Sequence, residues 1–127
     1  MILVDTNVLI DFWKNPTTEY RVIFEQNEIA TCGVIKTEIL RGSKSLKETE
    51  KLKEALNCFE YLGFEKEDWV ELATLFTKLK NAGLTIPFQD GIISYLAIKH
   101  DCELWTQDKH FLLIKTIFPM LNLYQSY

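Results

Sequence analysis

The sequence predicts an α/β fold, a short parallel β-sheet sandwiched between α-helices, and three observations predict it. Short apolar runs rich in β-branched residues alternate along the chain with stretches of helical periodicity, the pattern of strand–helix–strand units. Those runs are continuously apolar, as strands covered on both faces are. The length of 127 residues, 47% hydrophobic and 25% charged, suits one core and is too short for two, so one domain over residues 1–127 is expected.

The elements follow in order. Ile2-Leu3-Val4-Asp5 reads as a buried strand. Thr6 and Asn7, both good cap residues, open a helix with Val8, Leu9, Phe12 and Trp13 at helical spacing. Asn15-Pro16-Thr17 breaks it, and Tyr20, Ile23 and Phe24 mark another helix. Residues 29–31 form a second strand, and Gly33 leads into a helix carrying Val34, Ile35, Ile39 and Leu40 that ends near Gly42-Ser43. Leu46, Leu52, Leu56 and Phe59 give the next stripe, and residues 61–64 a short extended segment. Glu65-Lys66-Glu67-Asp68 opens the clearest amphipathic helix, with Trp69, Leu72, Ala73, Phe76 and Leu79 on its apolar face. Its acidic first turn, Lys78 and Lys80 near its end, and Gly83 beyond suit the helix dipole and C-cap rules. Thr85 and Pro87 start a helix apolar nearly all round from residue 92 to 98, hence buried. Leu104-Trp105 and residues 121–124 complete the strands.

Composition excludes several functions. Fourteen Lys and Arg against eighteen Asp and Glu give a net charge of −4, which rules out a broad basic nucleic-acid clamp. Setting aside four acids as a metal cluster leaves a neutral body that can still receive a phosphate backbone. The longest apolar run, residues 92–98, is seven long and includes Tyr95, well short of the roughly 18 a membrane span needs. The first residues lack the basic start of a signal peptide. Cys32, Cys58 and Cys102 are odd in number and lie far apart, so free thiols in a reducing, cytoplasmic setting are expected.

Four acids are candidates for chemistry. In open parallel sheets the active crevice lies beyond the carboxyl ends of the strands. Asp5 ends the first strand, and Asp108 stands three residues past Trp105. Glu38 lies on the helix after the second strand, and Asp90 in the first turns of the helix after Gly83. Singly, each has an ordinary reading: a helix cap, a solvated helix residue, a dipole partner, a turn aspartate. Asp90, however, sits on an otherwise apolar helix, where a charge is costly without a partner. His100 and His110 have no metal-ligand spacing and carry no predicted role. Trp13, Trp69 and Trp105 are expected in the core.

These acids fall in four segments that carry a family resemblance. Val4-Asp5-Thr6-Asn7-Val8-Leu9-Ile10 resembles the opening motif of PIN-domain ribonucleases, and Thr37-Glu38-Ile39-Leu40-Arg41-Gly42 resembles their second. The segment from Gly83 through Pro87-Phe88-Gln89-Asp90-Gly91 to Ile93 is similar to the third, and Trp105-Thr106-Gln107-Asp108-Lys109-His110-Phe111 to the fourth. All four occur in order and span nearly the whole chain, whose compact length is similar to the VapC-type toxins of type II toxin–antitoxin pairs. The sequence departs from the third motif at Ser94-Tyr95, where small residues are common.

The resemblance implies a metal-dependent endoribonuclease that hydrolyses RNA phosphodiester bonds, in tRNA or rRNA, at a four-carboxylate site. Asp5 and Asp108 would hold Mg²⁺ or Mn²⁺, directly or through water. Glu38 and Asp90 would complete the cluster, one of them orienting or deprotonating the attacking water. Thr6, Asn7 and Thr106 would hold carboxylates or water by hydrogen bonds, and Arg41, Lys44, Lys78 and Lys80 would touch RNA phosphates. A VapB-like antitoxin and a homodimer are the implied partners, with no membrane. Two rivals stand beside this reading. The first strand also resembles that of aspartate-nucleophile phosphatases, though Asn7 replaces their second acid, and a non-catalytic α/β binding module would leave all four acids structural.

Overall fold

The computed structural model describes residues 1–125. In them the chain forms β1 (Ile2–Val4), α1 (Thr6–Lys14), α2 (Thr18–Gln26), β2 (Ile29–Cys32), α3 (Gly33–Arg41), α4 (Leu46–Asn57), β3 (Glu60–Leu62), α5 (Lys66–Asn81), α6 (Phe88–Lys99), β4 (Glu103–Trp105), α7 (His110–Ile117) and β5 (Asn122–Leu123). The strands pair in parallel in the order β3-β2-β1-β4-β5. Every residue of β1 and β2 is buried, so helices cover both faces of the sheet centre, as parallel sheets require.

The core is assembled from β1 (Ile2, Leu3, Val4), Leu9, Ile35, Leu79, Leu104 and Phe111, each at most 1% exposed. Burying one such side chain contributes about 1.5–3 kcal/mol. Helix ends follow the predicted chemistry. Gly83, at φ 87°, ends α5: its N–H reaches the Lys80 carbonyl while that of Leu84 reaches Leu79, the Schellman pattern. Asp101 ends α6 in the same left-handed conformation, which Asp tolerates. Gly91 on α6 admits a close approach, because a Cβ there would lie 2.2 Å from the Phe76 ring on α5.

Three expectations are corrected. Leu46, placed on the α4 stripe, is 86% exposed and only begins the helix. The α5 face is rotated, burying Asp68, Leu72, Leu75 and Leu79 and leaving Trp69 about half exposed against Phe64. Asp68 takes the inner place because it is fully partnered. One oxygen accepts from Tyr95 and Lys99, each at 2.6 Å, and the other accepts the Glu65 N–H at 2.7 Å. The bulky Tyr95 that departs from the third motif is thereby a buried partner of α5. The third correction concerns α6, which begins at Phe88 with Pro87 as its cap. All three cysteines are free, and among the described residues no helix is long and apolar enough to cross a membrane.

Candidate active site

The sheet register builds the site. Val4 pairs with Trp105, so the next residues, Asp5 and Thr106, emerge side by side from the carboxyl ends of β1 and β4. The Asp5 N–H continues the ladder to the Trp105 carbonyl at 2.9 Å. Strand order reverses between these two strands, since the chain runs from β1 out to β3 and returns to the other side at β4. Such a switch point leaves a crevice where the connections diverge.

Asp5 caps α1, its Oδ1 accepting the Thr6 N–H at 2.8 Å, and its Oδ2 accepts the Thr106 hydroxyl at 2.7 Å. Capping and site formation are therefore one arrangement. The Asn7 amide stands at 3.5 Å from Oδ2, while its oxygen accepts the Gln107 N–H at 3.1 Å. Thr106 Oγ1 also accepts the Asp108 N–H at 3.0 Å, so one hydroxyl connects two of the candidate acids. The Thr6 hydroxyl is buried without a hydrogen-bond partner among the described residues.

Asp90 lies in the first turn of α6, buried, and its carboxylate accepts no hydrogen bond among the described residues. Burial, then the charges of Asp108 and Asp5, push its pKa up from 3.8 to about 6. Burial chiefly, with the Asp108 charge adding, also raises Asp5 against the opposing pull of the Thr106 and Thr6 hydrogen bonds. Glu38, half-buried on α3, is raised by burial and the Asp5 charge, and Arg41 pulls it back. Asp5, Glu38 and Asp90 are thus each raised by burial and by at least one neighbouring acid, as nearby carboxylates are. Asp90 and Asp108 offer oxygens within 4.8 Å of each other, Asp5 is joined to Asp108 through Thr106, and Glu38 lies within reach of the Asp5 and Asp90 charges.

The candidate phosphate contacts are scattered. Arg41 closes α3 near Glu38, and Lys44 is exposed in the turn before α4. Lys78 and Lys80 lie in the last turn of α5; Lys78 lines a groove with Tyr95, Lys99 and Phe118 that includes none of the four acids. Beside Thr106, a cleft of about 550 Å³ is walled by Tyr20, Trp105, Gln107 and Tyr124.

His110, given no role from the sequence, adjoins the cluster. Its N–H donates to Asp108 Oδ1 at 2.9 Å and its Nδ1 stands 3.1 Å from the same oxygen. Ligand atoms of Asp90, Asp108 and His110 lie within 4.8 Å of one another. The available signal was the Asp-Lys-His spacing, which a following helix folds back on itself. Asp11 was also missed; it accepts from the Tyr20 hydroxyl and, at 3.4 Å, from Gln107, linking α1 and α2 to the turn after β4.

Comparison with known proteins bears on the family and the fold. The PIN domain family matches residues 2–116. Ribonuclease VapC1 of Methanocaldococcus jannaschii is 31% identical over 115 residues, covering 90% of this chain and 81% of that protein. Among solved structures, VapBC2 from Rickettsia felis bound to a promoter DNA fragment superposes with a TM-score of 0.79 at 23% identity, over 100% of both chains. DNA-bound VapBC from Salmonella typhimurium gives 0.78 at 18% identity, over 97% of this chain and 96% of that one. A toxin–antitoxin complex from Klebsiella pneumoniae gives 0.74 at 22% identity, over 99% and 100%. With its sheet order and these matches, the chain belongs to the PIN domain family, of the VapC type.

Proposed function

We infer that this protein is a divalent-metal-dependent endoribonuclease and the toxin of a toxin–antitoxin pair. The observation that carries the reading is that Asp5, Glu38, Asp90 and Asp108 come from four separate segments to one end of the sheet, where burial and neighbouring acids raise the proton affinity of Asp5, Glu38 and Asp90. Such a cluster is unstable as a set of bare charges and suits a hard cation. The donor set fits: it is oxygen-rich, the Asp90 carboxylate accepts no hydrogen bond among the described residues, and the Thr6 hydroxyl beside Asp5 is without a partner among them. Asp5 and Asp108 would hold the ion, with Glu38 and Asp90 completing the set. When bound, Mg²⁺ or Mn²⁺ neutralises phosphate charge and lowers the pKa of a coordinated water.

The chain's own groups supply positioning. Thr106 fixes the Asp5 carboxylate and the Asp108 backbone together, so two acids keep one relative geometry. Asn7 ties α1 to the turn after β4. Glu38 and Asp90, without such hydrogen bonds among the described residues, would complete the cluster, one of them orienting or deprotonating the attacking water. The cleft beside Thr106 gives an RNA chain room next to the acids. The relative's name, ribonuclease, supports RNA as substrate, with structured RNA of the tRNA or rRNA kind as the target.

The antitoxin-bound relatives support a VapB-like partner. Its terminal segment would lie across α1, α2 and α4 and place an arginine among the carboxylates. A homodimer and a cytoplasmic setting complete the proposal. The test is cleavage of structured RNAs by purified protein with Mg²⁺, Mn²⁺ or chelator, beside Asp5→Asn and Asp90→Asn. Cleavage that needs the ion and both acids is expected. Ion-independent cleavage, or full activity in both variants, would refute the reading, and a phosphoaspartate trapped on Asp5 would favour a phosphatase instead. Growth arrest relieved by co-expressing a short neighbouring gene tests the pairing, and elution as a monomer at micromolar concentration would count against the dimer.

A further inference from the structure

The geometry points to His110 as a nitrogen ligand of the ion, beside Asp90 and Asp108, in a site that prefers Mn²⁺ to Mg²⁺. The inference rests on the proposed reading that these carboxylates hold a divalent ion. Three side chains each offer an atom within 4.8 Å of the other two, an arrangement that one ion can span. The 3.1 Å between His110 Nδ1 and Asp108 Oδ1 is close to the edge of an octahedron with ligands at about 2.1 Å.

Asp90 gives the independent sign of a missing occupant. It is 9% exposed and faces Asp108 and His110, yet no hydrogen bond satisfies its carboxylate among the described residues. A carboxylate so largely withdrawn from water with no protein partner is costly, and a cation between Asp90, Asp108 and the imidazole would lower that cost.

His110 is also held in place. It is the first residue of α7, anchored by the fully buried Phe111 and Ile114, and its N–H is bonded to Asp108. Ring and carboxylate therefore come from a single turn whose backbone is fixed, which places the exposed imidazole beside the Asp108 carboxylate. An imidazole nitrogen is a poor ligand for Mg²⁺ and a better one for Mn²⁺ and later first-row ions, whereas an all-carboxylate site discriminates less between them. The competing possibility is a ring that only orients Asp108 by a hydrogen bond.

The test uses the full chain, stripped with chelator and loaded with Mn²⁺ at fixed pH. Pulsed electron paramagnetic resonance of the bound Mn²⁺ should show coupling to ¹⁴N. The signal should move to the ¹⁵N frequency in protein carrying ¹⁵N-histidine, a readout that needs no variant. In His110→Ala it should vanish. Titration calorimetry should then show Mn²⁺ binding weakened by about 10–100-fold, with Mg²⁺ binding changed by less than about threefold.

Mn²⁺ bound without nitrogen coupling, by protein that still cuts RNA in an ion-dependent way, would overturn the ligand assignment and leave the proposed activity standing. Coupling that survives in His110→Ala, or fails to respond to histidine labelling, would place the nitrogen elsewhere and overturn it too. Wild-type protein that binds neither ion at millimolar concentration would bring down both the assignment and the activity.

Discussion

Replacing Asp90 with Asn should make the ion-free protein more stable while removing its response to divalent ions. The carboxyl pKa rises from 3.8 to about 6 in the folded protein. At about 1.36 kcal/mol per pKa unit, that difference corresponds to about 3 kcal/mol against the charged form. Water reaches the cluster past the exposed His110, so screening reduces this to about 1–2 kcal/mol. The sign follows from linkage. A carboxyl group whose folded pKa is raised destabilises the fold fully above pH 6, progressively less as pH falls, and not at all below 3.8. The asparagine side chain keeps the shape and carries no charge, so at pH 7.5 in chelator the variant should melt about 3–8 °C higher. The advantage should shrink by pH 5, and added Mg²⁺ or Mn²⁺ should stabilise the wild type much more than the variant. Thermal unfolding at the two pH values, with and without ion, reads all of this. A variant that melts at or below the wild type at pH 7.5 in chelator would refute the account of Asp90 as a repelled, unpartnered charge. So would an advantage undiminished at pH 5.

Three further outcomes are expected. Thr106→Ala leaves Asp5 Oδ2 and the Asp108 N–H without their shared partner; urea unfolding should show a loss of about 1–3 kcal/mol, and calorimetry an ion affinity lower by about 10–100-fold, with Thr106→Ser restoring most of both. Gly91→Ala drives a methyl into Phe76, whose ring is stacked on Phe88; it should cost about 1–3 kcal/mol, and Phe76→Leu in the same chain should recover part of it in the same unfolding assay. Asp68 has its pKa lowered to about 2, first by Lys99 and then by Tyr95. Its contribution to stability is present above pH 3.8 and lost as pH falls through about 2. Asp68→Asn should therefore be less stable than wild type at pH 7 and lose less between pH 4 and 2, as acid titration followed by circular dichroism would show.

The strands and the four acids were legible because their signals are local. A continuous apolar run that ends in Asp-Thr-Asn states both a buried strand and the cap of the helix after it, and the structure uses Asp5 for both. What local pattern leaves open is which of two adjacent helix positions turns inward. On α5, Trp69 has the stronger apolar signal, yet Asp68 is buried, because Lys99 lies 31 positions away in sequence and 2.6 Å away in space. No window of sequence holds both partners. His110 escaped for a related reason. Its spacing from Asp108 matches no metal-binding pattern by itself, and its nearness to Asp90 exists only once α6 and α7 pack together.

The same packing that stabilises this fold makes its acids costly. Leu3, Val4 and Leu104 are wholly buried where β1 and β4 pair, so Asp5, one residue past Val4, is carried into surroundings that disfavour its charge. The register admits no relief, since a slip of one residue would turn every side chain of β1 to the opposite face of the sheet. Nor does α6 offer any, because Ile92, Ile93, Leu96 and Ala97 pin it inside the core and hold Asp90 in its first turn. Asp5 and Asp90 are therefore fixed by apolar neighbours, and among the described residues neither forms an ion pair. A protein selected for stability alone would have lost at least one of the four. The proposed ion would account for their joint presence near the switch point, which is why stability with and without divalent ions separates a working site from an accident of packing more directly than cleavage of any one RNA.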